Sequence, residues 1–469
     1  MEVLQRTANR GSIATDTGYD ITNSLKLERA NSEQVRATGT TDSGNRKTWT
    51  FSTWIKRTEI SYNGGFGINA LFYAASTGIQ INSNDKISIR MYTGAAYTGD
   101  LLTTQVFRDT SAWYHIVWTL DTTEATASNR IKLWINGQQV TDFDTEVYPN
   151  LNDEFQIGQA SSAAPIRIGN AYWGTSPFSA YIAETHYLNG TAKQASDFGE
   201  YDADSGIWIP KEYTDGGYGD IGFYYKYDNA SSLGEDSSGE GHDANGLVNI
   251  TSADQATDTP TNNFCTWNPL WIYQYQPIIS EGATKVRYDD STDEGAKATI
   301  GLTNGKWYWE AKPVGTIGSQ YIGIQTDGDD NIASGQSQLN NYTMTINPTG
   351  RYYSYAGSLS ESAAGQFTSL TTSDWLGIAL DMDSATQTIK YYVNGSLILT
   401  RDLISEMQGK TVFPFLQNYE NRSWDINFGG YTINTISSAA SDEEGYGTFE
   451  YAPPSGYYAI CTKNLAEYG

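Results

Sequence analysis

Two stretches of the chain carry nearly the same pattern, and the pattern admits few folds. Trp113 to Asp121 reads Trp-Tyr-His-Ile-Val-Trp-Thr-Leu-Asp and leads to Ile-Lys-Leu-Trp-Ile-Asn-Gly at 131–137. Trp375 to Asp381 reads Trp-Leu-Gly-Ile-Ala-Leu-Asp and leads to Ile-Lys-Tyr-Tyr-Val-Asn-Gly at 389–395. Large apolar residues at alternate positions suit a strand with one face in a core. An acidic turn follows the first strand of each stretch, and Asn-Gly, the pair most tolerant of positive φ, follows the second. Each stretch therefore reads as a β-hairpin, and the recurrence implies two β-sandwich modules in tandem.

The rest of the composition agrees. A length of 469 residues accommodates two or three domains at roughly 100–200 residues each. Charged residues make up 18% and aromatics 13%, with 34 Tyr and 46 Gly, which favours sheets joined by tight turns and predicts an all-β protein. A net charge of −25 repels phosphate backbones, so nucleic acid is excluded as a partner. No stretch approaches the ~20 consecutive apolar residues of a spanning helix, and membrane insertion is not expected. Met1 to Asn31 is polar throughout, so no secretory signal is expected there. Cys265 and Cys461 form neither a disulfide framework nor a zinc site. Buried free thiols are expected, with a single bridge between them as the alternative.

Periodicity divides the chain into an N-terminal arm over 1–23, a first sandwich over 24–230, a connector rich in Ser, Gly, Asp and Asn over 231–277, and a second sandwich over 278–469. Thr191 to Tyr201 is a helix candidate of at most about two turns. The tail is expected to pack on the second module, because Tyr457 to Cys461 is apolar enough to need burial.

Three resemblances follow from particular residues. Phe51-Ser-Thr-Trp-Ile-Lys56, the strand from Trp113 to Asp121, the segment Ile131 to Gly137 and Phe178-Ser-Ala-Tyr-Ile-Ala-Glu184 resemble laminin G-like domains of the concanavalin A-like fold. Gly305-Lys-Trp-Tyr-Trp-Glu310, Tyr321-Ile-Gly-Ile324, Trp375 to Asp381 and Asn427-Phe-Gly429 resemble SPRY (B30.2-like) domains. Both resemblances imply two-sheet, jelly-roll-like sandwiches. Gly206-Ile-Trp-Ile-Pro-Lys211, Asp258-Thr-Pro-Thr-Asn-Asn-Phe264, Asn268-Pro-Leu270, Pro453-Pro-Ser-Gly456 and Cys461-Thr-Lys-Asn-Leu465, with Asn23-Ser-Leu-Lys-Leu and the run Gly44 to Arg57, are together similar to tail- or appendage-associated proteins of tailed, marine-type bacteriophages. That likeness implies a virion component, with other virion proteins and host-surface glycans as partners and a homo-oligomeric state.

Motifs for chemistry are sparse. Glycoside hydrolases of the concanavalin A-like fold carry Glu-x-Asp-x-x-Glu on one strand; the nearest approach here, Glu200-Tyr-Asp202, lacks the third carboxylate. His115, His186 and His242 are scattered, and the first two sit in strands among aromatics, as structural histidines do. A spatial Ser-His-Asp arrangement stays open, although no Gly-x-Ser-x-Gly elbow starts one. Gly217 to Gly222 mimics a dinucleotide fingerprint but precedes a strand, and Gly301 to Lys306 is one residue short of a P-loop. No enzymatic activity and no cofactor are expected. Ca²⁺ is the one metal with a candidate site, at Asp327, Asp329 and Asn331, where Ile332 replaces the turn glycine and Gln338 the bidentate glutamate.

Aromatics in polar surroundings are the stronger signal, because sugars stack on Trp and Tyr rings while nearby amides and carboxylates take the hydroxyls. Asn170, Tyr172 and Trp173 form one such group, and Tyr352, Tyr353 and Tyr355 another. Core packing is the competing role, and it is the favoured one for the alternating tyrosines. The sequence thus points to a non-enzymatic virion appendage protein that recognises host glycans. A purely architectural decoration or adaptor subunit and a polysaccharide depolymerase are the alternatives.

Overall fold

The computed structural model describes residues 19–37, 44–60, 67–158, 165–171, 174–271, 278–287, 293–327, 342–419 and 422–469. The chain divides into two compact units, 1–261 and 262–469.

In the first unit one sheet runs, in spatial order, Gln138–Gln139, Ile131–Ile135, Tyr114–Asp121, Thr48–Arg57, Ala180–Asn189, Ser24–Leu27 and Gln255–Ala256, with Phe223–Tyr225 also paired to Ala180–Asn189. The facing sheet runs Phe143–Val147, Tyr97–Val106, Lys86–Tyr92, Thr77–Ile81, Asn69–Ala74, Ile166–Ile168, Gln34–Ala37 and Gly246–Val248. Alternation along Thr48–Arg57 sends Trp49, Phe51 and Ile55 inward. There Phe51 stacks on Phe72 of the other sheet at 4.2 Å, and Trp49 meets Trp118 edge-on at 4.4 Å.

The outer face of the first sheet is also covered. Phe198, Trp208, Tyr213, Tyr218 and Tyr224 pack over Val117, Trp134 and Leu188. This cover explains why Ser52 and His115, which alternation places away from the core, are buried nonetheless, while Lys56 on the same face is buried against Asp258.

The second unit repeats the scheme. One sheet runs Ile278–Ser280, Lys285–Arg287, Ser423–Asn427, Lys306–Val314, Leu376–Asp381, Thr388–Val393 and Ser396–Asp402, with Tyr458–Ala459 joined in parallel to Lys306–Val314. The other runs Asp293–Lys297, Val412–Tyr419, Gln320–Thr326, Thr343–Asn347, Arg351–Tyr355 and Leu359–Glu361. Trp307, Trp309 and Trp424 from the first meet Ile322, Ile324 and Leu416 from the second in one core. Phe449, Tyr457 and Ala459 cover the outer face over Tyr308 and Ala379, so the tail packs as its composition predicts. It ends in a helix, Thr462–Tyr468, whose Tyr468 stacks on Tyr458 at 3.8 Å.

The repeated hairpins are built alike. Asn136 and Gly137 have φ of 48° and 78°, and Asn394 and Gly395 have 47° and 77°, the left-handed pair of a type I′ turn. Asn136 Oδ1 accepts the His115 amide at 2.7 Å and Asn394 Oδ1 the Trp375 amide at 3.0 Å, so each turn is tied to the preceding strand. The glycines are required twice over, because a Cβ would lie 2.3 Å from the Trp208 ring at Gly137 and 2.8 Å from Tyr451 at Gly395.

Three expectations are corrected. The segment 231–277 is not a connector: Gly246–Val248 pairs with Gln34–Ala37 and Gln255–Ala256 with Ser24–Leu27, while Trp267 bridges to Ala298 in the second unit. These strands, of three and two residues, are too short to show a period and are held by backbone pairing to their partners. The described end of the arm is anchored, with Ile21 5% exposed and the Tyr19 hydroxyl donating to Glu184. In place of a helix over 191–201 there is one 3-10 turn, Ala195–Asp197, and then a strand, Gly199–Tyr201, paired with Trp208–Pro210. Cys265 and Cys461 are free and buried.

Glu310 makes the second unit sensitive to pH. Burial pushes its carboxyl up to about 7, although it accepts from the amides of Glu450 and Tyr451 at 2.8 Å and from Tyr308 and Asn427 at 3.2 Å. A carboxyl raised on folding contributes stability below its unfolded value of 4.5 and loses it as pH rises through about 7. The loss amounts to about 3 kcal/mol. Thermal melts across this window should show the second unit's transition falling as pH rises. Glu310→Gln should remove that slope while lowering the transition overall, since an amide nitrogen must then face a donor.

Candidate functional site

The outer face of the six-stranded sheet of the second unit carries an open cavity of about 360 Å³, at the small end of the range for ligand pockets. The sheet's alternation builds it. Ile346 and Met344 point to the core, so Asn347 faces out; Tyr352 packs on the core, so Arg351 and Tyr353 face out. Tyr321, Gln417, Glu361, Leu359 and the loop of Gly318 and Ser319 complete the wall with Thr349.

Two rings form the apolar part. Tyr321 and Tyr353 stand at 88° with centroids 4.9 Å apart. The Tyr353 hydroxyl accepts from Asn347 Nδ2 at 3.1 Å and donates to Glu361 at 3.2 Å, and Glu361 is ion-paired with Arg351. Asn347 Oδ1 in turn holds the Thr349 amide and hydroxyl and the Arg351 amide at 3.0–3.2 Å. Burial, and then the neighbouring Tyr321 and Glu361, push the Tyr353 phenol above its ordinary value, so it stays protonated. The cleft therefore offers rings, a guanidinium, amides and hydroxyls in fixed positions. Among the described residues its wall holds one carboxylate, Glu361, where glycoside hydrolysis uses two.

The candidates named from sequence divide. Tyr353 lines the cleft, and Tyr355 shares its face of the strand by the two-residue period. Tyr352 is corrected to a packing role: it lies against the core with Arg401 4.1 Å over its ring. Asn170 is also corrected, since it is 0% exposed and its Oδ1 accepts the Ala171 and Ser176 amides, which shapes the loop. Tyr172 and Trp173 lie outside the described residues, as do Asp329 and Asn331. Asp327 is exposed, with Lys297 Nζ at 4.0 Å. Among the described residues no group of three or more His, Cys, Asp or Glu is placed to hold a metal, and no helix is long and apolar enough to cross a membrane.

Tyr321, Arg351, Glu361 and Gln417 were not singled out from sequence. Period-two alternation, applied strictly to Arg351–Tyr355, would have separated Arg351 and Tyr353 from Tyr352. The pairing that brings Tyr321 and Gln417 beside them leaves no mark in the sequence.

A serine–histidine pair does exist in the first unit, in an arrangement that cannot act as a nucleophile and base. His115 Nε2 is 2.9 Å from Ser52 Oγ, but its Nδ1 accepts from Trp208 Nε1 at 3.0 Å. The ring proton therefore sits on Nε2 and points at the serine, so the imidazole cannot take the serine's proton. Burial, reinforced by nearby His186, pushes His115 down to about 3 and keeps it neutral.

Residues 29–196 match the sequence profile of the concanavalin A-like lectin/glucanases superfamily, so the first unit contains a module of that fold. No match is found among curated protein sequences. Solved structures similar to the chain include the PSpry domain of TRIM65, with 13% identity over 35% of this chain and 89% of that one at a TM-score of 0.26. The SPRY domain of human HERC1 gives 13% identity over 34% and 94% at 0.25. The carbohydrate-binding module CBM66 from Bacillus subtilis gives 10% identity over 36% and 95% at 0.26.

Proposed function

We propose that the chain is a non-catalytic glycan-binding protein of a tailed-bacteriophage particle, and that the cleft of the second unit takes a host-surface sugar without a metal ion. The observation that carries this reading is the Tyr321–Tyr353 corner, set among Asn347, Arg351, Glu361 and Gln417. A sugar ring has apolar C–H faces and a rim of hydroxyls. One tyrosine face receives the former, and the amides and the Arg351–Glu361 pair receive the latter. The lectin/glucanase-type module in the first unit supports a carbohydrate context. The appendage-like motifs from Asn23 to Leu465 support the particle, where other virion proteins and further copies of the chain would be its neighbours.

A glycan array followed by titration tests the proposal. Wild type should bind a defined host-surface glycan, and Tyr353→Ala or Tyr321→Ala should each weaken it about tenfold, the effect of losing one ring contact and its attached hydrogen bond. Absence of binding to any host glycan, or binding indifferent to both substitutions, would sink the assignment of the cleft and favour an architectural subunit. Release of reducing sugar would instead establish the depolymerase.

A further inference from the structure

Lys26, Glu33 and Asp254 meet in the interior of the first unit. Lys26 Nζ is 2.8 Å from Asp254 Oδ1 and 3.2 Å from Glu33 Oε1, and the three side chains are 1%, 9% and 2% exposed. An ammonium and two carboxylates away from water are expensive to keep ionised. Their arrangement matches what amide formation between an amine and a carboxyl requires.

We propose that Lys26 and Asp254 form an intramolecular isopeptide bond, with Glu33 as the catalytic residue that carries the proton. Each atom has a place. The Lys26 ammonium passes a proton to Glu33, leaving a neutral amine beside the Asp254 carboxylate. Nζ attacks Cγ of Asp254. Oδ2 becomes the amide oxygen, and it already accepts from the Thr251 amide at 2.7 Å and the Thr251 hydroxyl at 3.2 Å, donors that stabilise the negative charge developing there. Oδ1, the atom nearest Nζ, leaves as water with the proton returned by Glu33 and one from Nζ. Amine, carboxylate and protonated Glu33 become amide, water and ionised Glu33, so atoms and charge balance without an oxidant or a second reactant.

The product suits the site better than the reactants. One ammonium and one carboxylate disappear, and the remaining Glu33 carboxylate keeps the Glu28 amide at 2.7 Å and Asn31 Nδ2 at 2.9 Å. The new amide N–H lies where the ammonium was. Burial raises the Glu33 carboxyl above its ordinary value, which favours its role as proton carrier. Lys26 lies on the first described strand of the unit, Ser24–Leu27, and Asp254 on its last described 3-10 turn, Ser252–Asp254, so the bond would close nearly the whole unit into one covalent loop. No disulfide supplies such a closure, as both cysteines are free.

The test is the intact mass of the full chain under denaturing conditions, followed by peptide mapping. The expected mass is lower than the sequence mass by one water. Trypsin should fail to cut after Lys26 and should yield a branched peptide joining the Lys26 and Asp254 segments. Lys26→Ala, Asp254→Ala and Glu33→Gln should each restore the full mass. Should a variant fail to fold, the branched peptide from wild type still decides. An unmodified wild-type mass after prolonged incubation, or a water loss mapping to any other pair of residues, overturns the proposal.

Discussion

Replacing Asp258 with alanine is expected to cost the first unit about 3–5 kcal/mol, the usual penalty for stripping one partner from a buried ion pair. Asp258 Oδ2 lies 2.6 Å from Lys56 Nζ, with side-chain exposures of 1% and 0%, and its Oδ1 accepts from Trp113 Nε1 at 3.1 Å. The substitution leaves the ammonium without this counter-ion and the indole without this acceptor. Against a total stability of about 5–15 kcal/mol for a typical domain, the loss is large enough to lower the denaturation midpoint severely. Glu154→Ala provides the contrast. Its carboxylate pairs with Arg46 at 3.2 Å but is 49% exposed, and such pairs contribute about 0–1 kcal/mol. Chemical denaturation of the three proteins checks the ordering. Equal midpoints for Asp258→Ala and wild type would show that the segment around 258 is not docked as described.

Trp118→Ala should have an effect of similar size by a different route. Trp118 is 0% exposed and meets Trp49 at 4.4 Å and Phe72 at 6.4 Å, both edge-on, at the centre of the core between the two sheets. Removing the indole loses its transfer free energy and leaves a cavity that strands held in register cannot collapse to fill, together about 3–5 kcal/mol. Trp118→Phe should cost much less. It keeps most of the packing and also removes an indole N–H that has no acceptor in the core. Near-ultraviolet circular dichroism and denaturation midpoints would read both. A Trp118→Ala protein as stable as wild type would contradict the packing.

Much of the fold was legible because strands with one face in a core must alternate. The inward Trp49 and Phe51 follow from that period, the hairpins of 113–137 and 375–395 from the period and their turns, and the packed tail at 457–461 from its apolar composition. The strands Gly246–Val248 and Gln255–Ala256 were not legible, because segments of three and two residues are too short to show a period and become strands only when they pair with a partner's backbone. The burial of His115 was likewise invisible in residue type, since it depends on a second layer, Phe198 to Tyr224, laid over the outer face of the sheet.

The site shows the same division. Local pattern drew attention to Tyr353, but the same pattern also pointed to Tyr352, which the pleat turns inward. Tyr321, Asn347, Arg351, Glu361 and Gln417 come from strands that are neighbours only after Gln320–Thr326 pairs with Thr343–Asn347 and Val412–Tyr419. Lys56 meets Asp258, and Lys26 meets Asp254, across nearly the full length of the unit. What the sequence by itself determined was the local period, the turns that Asn-Gly demands and hence the sandwich class, because these depend on interactions within a few residues. Which polar and ionisable groups share a cleft or a buried cluster was decided by the tertiary structure, because register between distant strands is set by the joint burial of whole sheets and not by any one segment.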